Sequence, residues 1–195
     1  MRPLLFSAAR FEAEPSLEVL KNKYGSVDYF EIGIGPLAAA KSEAHLQEVC
    51  AGRIVYFVGS CGAFYPFHEL HLVTVDTVYW MPTCVRMGLG GFPESLFPKK
   101  SLSTKLDLPK KSVLTSVSVS LSCEISETVA KTLPPKDQLV ENMELYACVD
   151  ALAKAEEIHI ILGVTNQVGN KGRLQWAENF QRVAELTAEF IRRNC

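Results

Sequence analysis

The chain has 195 residues, of which 48% are hydrophobic and 22% are charged, and its formal net charge is −2. These values exclude a disordered tail, a collagen-like repeat and a fibrous coiled coil. Twenty basic against 22 acidic side chains also give no basic excess of the kind that nucleic-acid-binding proteins show. A chain of this length can bury a sizeable core, and we expect one domain over residues 1–195.

The cysteines and the N-terminus predict a location inside the cell. No pair among the six cysteines has C-x-x-C spacing, so the disulfide framework of a small secreted protein is not expected. The apolar run near the N-terminus is too short for a signal peptide, and no stretch reaches the roughly 20 apolar residues that span a bilayer. We therefore expect a cytoplasmic protein that binds neither membranes nor nucleic acid. The cysteines are Cys50, Cys61, Cys84, Cys123, Cys148 and Cys195.

Strands alternate with helices in the first third of the chain. Apolar runs at residues 4–8 and 29–32 predict two buried strands, and an amphipathic stretch over residues 14–24 lies between them. A helix is expected over residues 36–49, because Pro36 suits the first turn of a helix. This alternation indicates an α/β layered sheet.

The middle of the chain is less regular. Residues 54–58 form a continuous β-branched and aromatic run, typical of a strand that is covered on both faces. Further strands are expected over residues 71–79 and 113–121. Residues 82–111 are rich in Gly, Pro, Ser and Lys, and we interpret them as either a connecting loop or a lid over a site.

The last third returns to the α/β pattern. A helix is expected over residues 142–155 and a strand over residues 158–164. In the final helix, apolar side chains recur at three- and four-residue steps, so that one face packs against the sheet. These side chains are Trp176, Phe180, Val183, Leu186 and Phe190.

Two candidate sites are not favoured by their context. His68 and His71 lead into a strand, where side chains three residues apart face opposite sides, so no metal site is expected. Residues 33–38 formally match the G-x-G-x-x-G/A dinucleotide pattern. However, no acidic residue ends the next strand, and Arg53, which would suit a 2′-phosphate, precedes that strand. A nicotinamide-dependent reductase therefore stays a weak alternative.

Three other segments carry polar groups at the ends of predicted elements. Residues 59–63 follow the strongest strand and are interpreted as a tight turn whose backbone N–H groups and hydroxyl converge on a ligand. Glu144 opens a helix, where it either complements the helix dipole or binds vicinal hydroxyls. Asn166 follows a strand, where it either makes an Asx turn or hydrogen-bonds a heterocycle through its amide.

Taken in order, these segments resemble the nucleoside phosphorylase and nucleosidase superfamily over nearly the whole chain. Gly33-Ile34-Gly35 is similar to its helix-opening glycine pair, Gly59-Ser60-Cys61-Gly62-Ala63 to its glycine-serine turn, and Asn142-Met143-Glu144 to its ribose-binding Met-Glu pair. The resemblance implies a three-layer α/β/α sandwich with a central mixed sheet. It also implies a small purine nucleoside as substrate, no cofactor, no metal, and a homo-oligomer (a dimer or larger).

Within the superfamily, the resemblance favours hydrolysis over phosphorolysis. The hexameric phosphorylases place an arginine two residues before the glycine of the turn, where this chain has Phe57. Residues 8–12 are similar to the nucleosidase segment whose final glutamate activates water, which implies Glu12 as the general base. Glu14 is an alternative base, and Arg10 is a candidate contact for an anion.

The residue that is expected to contact the purine base narrows the range of possible substrates. Adenine-specific nucleosidases carry an aspartate where this chain has Asn166, and an asparagine NH₂ suits a 6-oxopurine. Asn166 and Val168, followed by Arg173 and Trp176, are most similar to the futalosine hydrolase family, which releases hypoxanthine from futalosine in menaquinone biosynthesis.

The chain also departs from that family, and other functions stay open. Leu145-Tyr146 stands where small residues are usual, and Lys171-Gly172-Arg173 matches the family only approximately. The alternatives are a methylthioadenosine/adenosylhomocysteine-type nucleosidase, a purine nucleoside phosphorylase and a non-catalytic nucleoside-binding module. The resemblance implies catalytic roles for Glu12 and Asn166, and substrate-binding roles for Ser60, Cys61, Gly62, Ile125, Met143 and Glu144.

Overall fold

The computed structural model describes residues 2–91 and 99–195. Within these ranges eight strands form one mixed sheet in the order β2-β1-β3-β7-β6-β4-β5, and β8 pairs with both β3 and β4. The strands are β1 Leu4–Ser7, β2 Asp28–Glu31, β3 Ile54–Ala63, β4 His71–Trp80, β5 Lys99–Ser101, β6 Lys110–Thr115, β7 Leu139–Glu141 and β8 Glu157–Gln167.

The helices cover the sheet in two layers. α1 packs with α6 and α2 packs with α5, and the two pairs lie on opposite faces of the sheet. The expected three-layer α/β/α sandwich with a mixed sheet is confirmed. The helices are α1 Arg10–Tyr24, α2 Pro36–Cys50, α3 Thr83–Arg86, α4 Glu127–Ala130, α5 Leu145–Leu152 and α6 Gly172–Asn194, and one 3₁₀ turn spans Lys136–Gln138.

Alternating side chains of the central strands fill the two cores. In β3, Val55 and Phe57 belong to the core under α2 and α5, whereas Tyr56 and Val58 belong to the core under α1 and α6. Successive side chains of a strand point to opposite faces, so a continuous apolar run supplies both cores at once. This is why the strand that the sequence predicted most clearly lies at the centre of the sheet.

Strand β8 closes part of the sheet into a ring. It runs parallel to β3 and antiparallel to β4, and the ring continues through β6 and β7 back to β3. Gly62 of β3 consequently has Glu141 of β7 on one side and Asn166 of β8 on the other. Closure thus brings together the ends of strands that are far apart in the sequence.

Several sequence-based boundaries were wrong. Residues 59–63 are not a turn, because β3 continues through Ala63 while pairing with β8 and β7. Asn166 likewise lies within β8 rather than after it. The strand expected over residues 113–121 is shifted, since β6 ends at Thr115.

Two helices and the irregular segment also differ from expectation. α1 begins at Arg10, four residues earlier than expected, and α5 begins at Leu145, three residues later. The segment 82–111 contains the short helix α3 and strand β5. Residues 92–98 of that segment, on which the lid interpretation partly rests, lie outside the described residues.

Two further observations concern the described residues. None of the helices in the described ranges is long and apolar enough to cross a membrane. The six cysteines are free thiols, as their spacing predicted.

Replacement of Gly163 by alanine should be among the most damaging single changes to the fold. A Cβ at Gly163 would lie 1.8 Å from Cγ1 of Val183, because α6 packs directly onto β8 there. We expect Gly163→Ala to lower the free energy of unfolding by about 1–3 kcal/mol, as overpacking of a core does.

Urea denaturation measures this effect. The matched control is Gly91→Ala, since Gly91 is exposed and a Cβ there would meet no atom of the described residues within 4 Å. It should change stability by no more than about 0.5 kcal/mol. Equal stability of the two variants would contradict the close packing of α6 on β8.

Candidate active site

Glu12 lies in the first turn of α1, directly after strand β1. Its Oε1 accepts hydrogen bonds from the backbone N–H of Ser60 at 3.2 Å and from the Ser60 hydroxyl at 2.6 Å. Burial raises the pKa of the Glu12 carboxyl above its ordinary value, and the bonds from Ser60 oppose that rise. Glu12 is therefore a partly buried carboxylate whose basicity is higher than that of an exposed glutamate.

The alternative base, Glu14, has a different environment. It is exposed and forms an ion pair with Arg10, one helical turn earlier, at 3.8 Å. Both side chains are more than half exposed. The geometry therefore favours Glu12 over Glu14, and Arg10 lies on the solvent side of α1.

Glu144 supplies a second buried carboxylate at the same end of the sheet. Its side chain is 5% exposed, and Oε1 accepts a 2.8 Å hydrogen bond from the backbone N–H of Gly35 at the start of α2. Burial, with a smaller contribution from the negative charge of Glu12, raises the pKa of Glu144 to about 7 against the opposing effect of the bond from Gly35. The two carboxylates are thus electrostatically linked.

Asn142, not Glu144, caps helix α5. The Asn142 Oδ1 accepts hydrogen bonds from the backbone N–H groups of Glu144 and Leu145, at 3.1 and 2.9 Å. Glu144 occupies the N-cap position without a side-chain capping bond. Because another residue caps the helix, the dipole interpretation does not account for the Glu144 carboxylate, which is directed towards α2.

The glycine pair before α2 makes the contact with Glu144 possible. Gly33 and Gly35 have φ values of +83° and +89°, which other residues adopt rarely. A Cβ on Gly33 would also lie 2.8 Å from Cβ of Ala38. The sequence pattern that resembled a dinucleotide motif therefore aims the Gly35 N–H at a carboxylate.

Ser60 joins three elements at this site. Besides its bonds to Glu12, its hydroxyl oxygen accepts a 3.0 Å hydrogen bond from Nε1 of Trp176 in α6. Its backbone carbonyl accepts a 3.1 Å bond from Nδ2 of Asn142. Polar groups of several elements therefore meet at Ser60, which lies in a strand and not in a turn. That residues 59–63 direct N–H groups and a hydroxyl at a ligand stays a prediction.

Asn166 lies beside Gly62, and its amide is engaged locally. Its Oδ1 accepts a 2.8 Å bond from the Thr165 hydroxyl, and its Nδ2 donates to the Gln167 carbonyl at 3.1 Å. A Cβ at Gly62 or Gly172 would lie 2.8 or 3.0 Å from Nδ2. These two glycines therefore make the room that the amide occupies, a role the sequence does not reveal.

The remaining predicted site residues are divided between the site and the cores. Met143 lies over α2, since its Cε is 3.6 Å from where a Cβ on Gly35 would be. The Cys61 side chain is buried in the core under α2 and α5, and burial raises the pKa of its thiol. Ile125 packs against a third cluster that includes Phe64, and its described contacts do not join it to the carboxylates.

A buried charged group that the sequence analysis missed lies next to Asn142. Glu141 accepts hydrogen bonds from the hydroxyls of Ser116 and Ser120 and from the Ser120 backbone. Burial raises the pKa of Glu141, and the hydrogen bonds from Ser120 and the guanidinium of Arg86 oppose that rise. Arg86 is 1% exposed and donates to the carbonyls of Ser122 and Glu124. This network anchors the loop after β6. From the sequence, only the Glu-Asn-Met-Glu segment that contains Glu141 could be recognised, and not its partners.

The disfavoured candidates lie elsewhere. Arg53 is at the start of β3 and donates to Asp28 at 2.7 Å, at the opposite end of the strands from Gly35. His71 is hydrogen-bonded to the Tyr65 hydroxyl and the Glu69 carbonyl. Among the residues that the structure describes, no three His, Cys, Asp or Glu side chains form a group that could hold a metal.

Glu144→Gln should stabilise the fold increasingly as the pH rises. The folded-state pKa of Glu144, about 7, lies above the ordinary glutamate value of 4.5. The stability that comes from its protonated form is therefore present below pH 4.5 and lost as the pH rises through 7. A glutamine does not ionise, so the variant does not lose this stability. Between pH 5 and pH 8 its unfolding free energy should therefore rise by about 1–3 kcal/mol relative to that of the wild type.

Urea denaturation at the two pH values checks this, with Glu14→Gln as the control at an exposed carboxylate. A difference between Glu144→Gln and the wild type that stays constant between pH 5 and pH 8 would refute the raised pKa.

Comparison with known proteins identifies the fold. No protein-family model and no curated protein matches the chain. Among the solved structures that are similar to the chain is a Helicobacter pylori futalosine hydrolase mutant, with a TM-score of 0.74 and 11% identity over 98% of this chain and 97% of that chain. Another is a mutant of the H. pylori methylthioadenosine nucleosidase with 5′-methylthioadenosine in the active site, with a TM-score of 0.72 and 13% identity over 98% and 96% of the two chains. A third is the Campylobacter jejuni methylthioadenosine/S-adenosylhomocysteine nucleosidase, with a TM-score of 0.70 and 18% identity over 99% and 97%. The chain therefore shares the fold of these nucleosidases and of futalosine hydrolase, as the resemblance of its motifs implied.

Proposed function

We propose that this protein is an enzyme that hydrolyses the N-glycosidic bond of a purine nucleoside. The observation that carries the proposal is the pair of carboxylates Glu12 and Glu144. They come from distant parts of the chain, each accepts a backbone N–H, and the charge on Glu12 raises the pKa of Glu144. Like charges held near each other in a buried site cost stability, so such a pair is a candidate for chemistry.

The reaction needs both negative charge and a base. When the bond between C1′ and the purine nitrogen breaks, its electron pair leaves with the purine and positive charge develops on the ribosyl ring. A water molecule then adds its oxygen to C1′ and gives up a proton. Glu12, whose burial makes it more basic than an exposed glutamate, accepts that proton as the general base.

In this proposal Glu144 binds the ribose. A buried carboxylate accepts hydrogen bonds from vicinal hydroxyls, and its charge stabilises the oxocarbenium-like transition state. The N–H of Gly35 occupies Oε1 and so fixes the direction of the carboxylate. Met143 lies against the same glycine, where it would pack on the ribose.

Phe57 occupies the position at which the hexameric phosphorylases carry an arginine, and its environment supports hydrolysis. Phe57 is 1% exposed and packs edge-on against Phe6, with ring centroids 5.2 Å apart. It therefore fills the core at the position where the hexameric phosphorylases have an arginine. Solved structures of two kinds of hydrolytic enzyme share the fold.

We further propose a 6-oxopurine nucleoside, futalosine, as the substrate. The support is Asn166, which takes the place of the aspartate of adenine-specific nucleosidases and lies beside Gly62 and Gly172. Its NH₂ has a second hydrogen besides the one donated to Gln167, and that hydrogen suits a 6-oxo group or N7. The Ser60–Gly62 segment would line the same pocket, and Ile125, Cys61 and the homo-oligomer stay predictions.

A chromatographic assay of the purified protein tests the function. Futalosine, inosine and methylthioadenosine are each incubated with and without phosphate. We expect hypoxanthine from futalosine at a rate that does not depend on phosphate. Phosphate-dependent formation of a sugar 1-phosphate would assign the protein to the phosphorylases, and lack of turnover of all three nucleosides would refute the proposal.

Glu12→Gln should lower kcat by about 10²–10⁴-fold, as loss of a placed general base does. The side chain keeps its size and an acceptor oxygen for Ser60, so KM should change little. Glu14→Gln is the control, because Glu14 lies two residues away on the exposed side of α1. Near wild-type kcat in Glu12→Gln together with a large loss in Glu14→Gln would transfer the role to Glu14.

Asn166→Asp should shift the preference from 6-oxopurines towards 6-aminopurines. A carboxylate accepts from an exocyclic amino group but does not donate to a 6-oxo group while it is ionised. The measurement is the ratio of kcat/KM for inosine to kcat/KM for adenosine, compared with the wild type. An unchanged ratio would show that Asn166 does not contact the base.

A further inference from the structure

The hydrogen bond between Trp176 and Ser60 fixes the donor-to-acceptor direction in a short series of hydrogen bonds. An indole N–H can only donate, so the 3.0 Å contact from Trp176 Nε1 makes the Ser60 hydroxyl oxygen the acceptor. The single hydroxyl proton of Ser60 is then free for another acceptor, and Oε1 of Glu12 lies 2.6 Å away. The series of hydrogen bonds therefore runs from the donor Trp176 through Ser60 to the acceptor Glu12.

Aromatic packing holds the indole in place. The Trp176 ring stacks on Phe180, with centroids 5.1 Å apart and an interplanar angle of 21°. The ring of Phe11, the residue before Glu12, packs edge-on against both, at 6.1 and 5.2 Å. This cluster connects α6 to the first turn of α1, so the indole N–H and the Glu12 carboxylate are fixed relative to each other.

We propose that Trp176 is a positioning residue that acts on Glu12 through Ser60. Its N–H fixes the rotation of the Ser60 hydroxyl, and the hydroxyl together with the Ser60 backbone N–H then holds one carboxylate oxygen of Glu12. The other oxygen, Oε2, has no donor from Ser60 and is assigned to the reacting water, while the Ala9 backbone also hydrogen-bonds the carboxyl group. This inference rests on the proposed function, in which Glu12 is the general base.

Trp176→Phe removes the N–H and keeps an aromatic ring that packs on Phe180. We expect kcat to fall about three- to tenfold, the effect of one hydrogen bond, with KM within about twofold of the wild type. The acid limb of the kcat/KM profile should move to higher pH. The reason is that the Ser60 bond, which lowers the pKa of Glu12, is weakened when the hydroxyl can rotate.

Other groups facing Glu12 stay the same in this variant. Glu144 at the start of α5, Cys61 in β3, Tyr29 in β2 and Arg10 in α1 itself are the titratable neighbours with which Glu12 shares electrostatic interactions or partners. The face of α6 next to Glu12 carries uncharged side chains around a cavity of about 10 Å³; these are Phe180, Val183, Ala184 and Thr187. A shift of the acid limb in Trp176→Phe is therefore assigned to the Ser60 bond.

Trp80→Phe is the matched control. It makes the same substitution at the second of the two tryptophans in the chain, at the end of β4, where the ring contacts Tyr146 at 5.8 Å. Its kcat and its pH profile should equal those of the wild type. Equal effects of the two substitutions, or a Trp176→Phe variant with an unchanged pH profile, would overturn the positioning role.

A measurement without substrate separates this inference from the proposed function. In protein labelled with ¹⁵N-tryptophan, the indole N–H signal that is lost in Trp176→Phe should shift with pH as Glu12 titrates. The shift should disappear in Ser60→Ala and in Glu12→Gln. A signal that does not titrate, or one that still titrates in Ser60→Ala, would overturn the chain of hydrogen bonds, whereas absence of turnover with an intact titration would refute only the proposed hydrolysis.

Discussion

Ser60 is the residue on which the geometry of the candidate site depends. Its N–H and hydroxyl donate to Glu12, its hydroxyl oxygen accepts from Trp176, and its carbonyl accepts from Asn142. Asn142 in turn caps α5 and so fixes the backbone of Glu144. One small side chain near the end of the central strand thus orients both carboxylates, and a larger residue would separate the elements that meet there.

The buried carboxylates near Ser60 lower the stability of the fold. Burial raises the pKa of Glu12, Glu141 and Glu144, so each carboxylate opposes folding when it is ionised. Glu141 is compensated by Arg86 and two serine hydroxyls, as a structural charge is expected to be. For Glu12 and Glu144, by contrast, no cation appears among the groups that shift their pKa values, and the charge of Glu12 raises the pKa of Glu144. Incomplete compensation of a buried pair of carboxylates makes it a candidate for chemistry.

The sequence predicts the layers well and the site only in outline. Apolar runs located the central strands, because a strand covered on both faces must be apolar throughout. The segment 59–63 was interpreted as a turn because it is rich in glycine. In the structure, however, small residues serve close approach, since Gly62 makes room for Asn166. The bond from Trp176 to Ser60 spans 116 residues, and no local pattern of apolar or polar residues records such a pairing.

Two of the residues that depart from the futalosine hydrolase pattern, Leu145 and Tyr146, do not face the carboxylates. Leu145 is fully buried in the core under α2 and α5, where a larger side chain fills space between the helix and the sheet. Tyr146 contacts Trp80 of β4 and lies 4.6 Å from Nζ of Lys100 in β5. Both therefore change how α5 packs on its neighbours and leave the capping by Asn142 and the Gly35 contact of Glu144 intact. A departure of this kind alters the frame around the site rather than its acid–base groups, so it does not argue for a non-catalytic binding module.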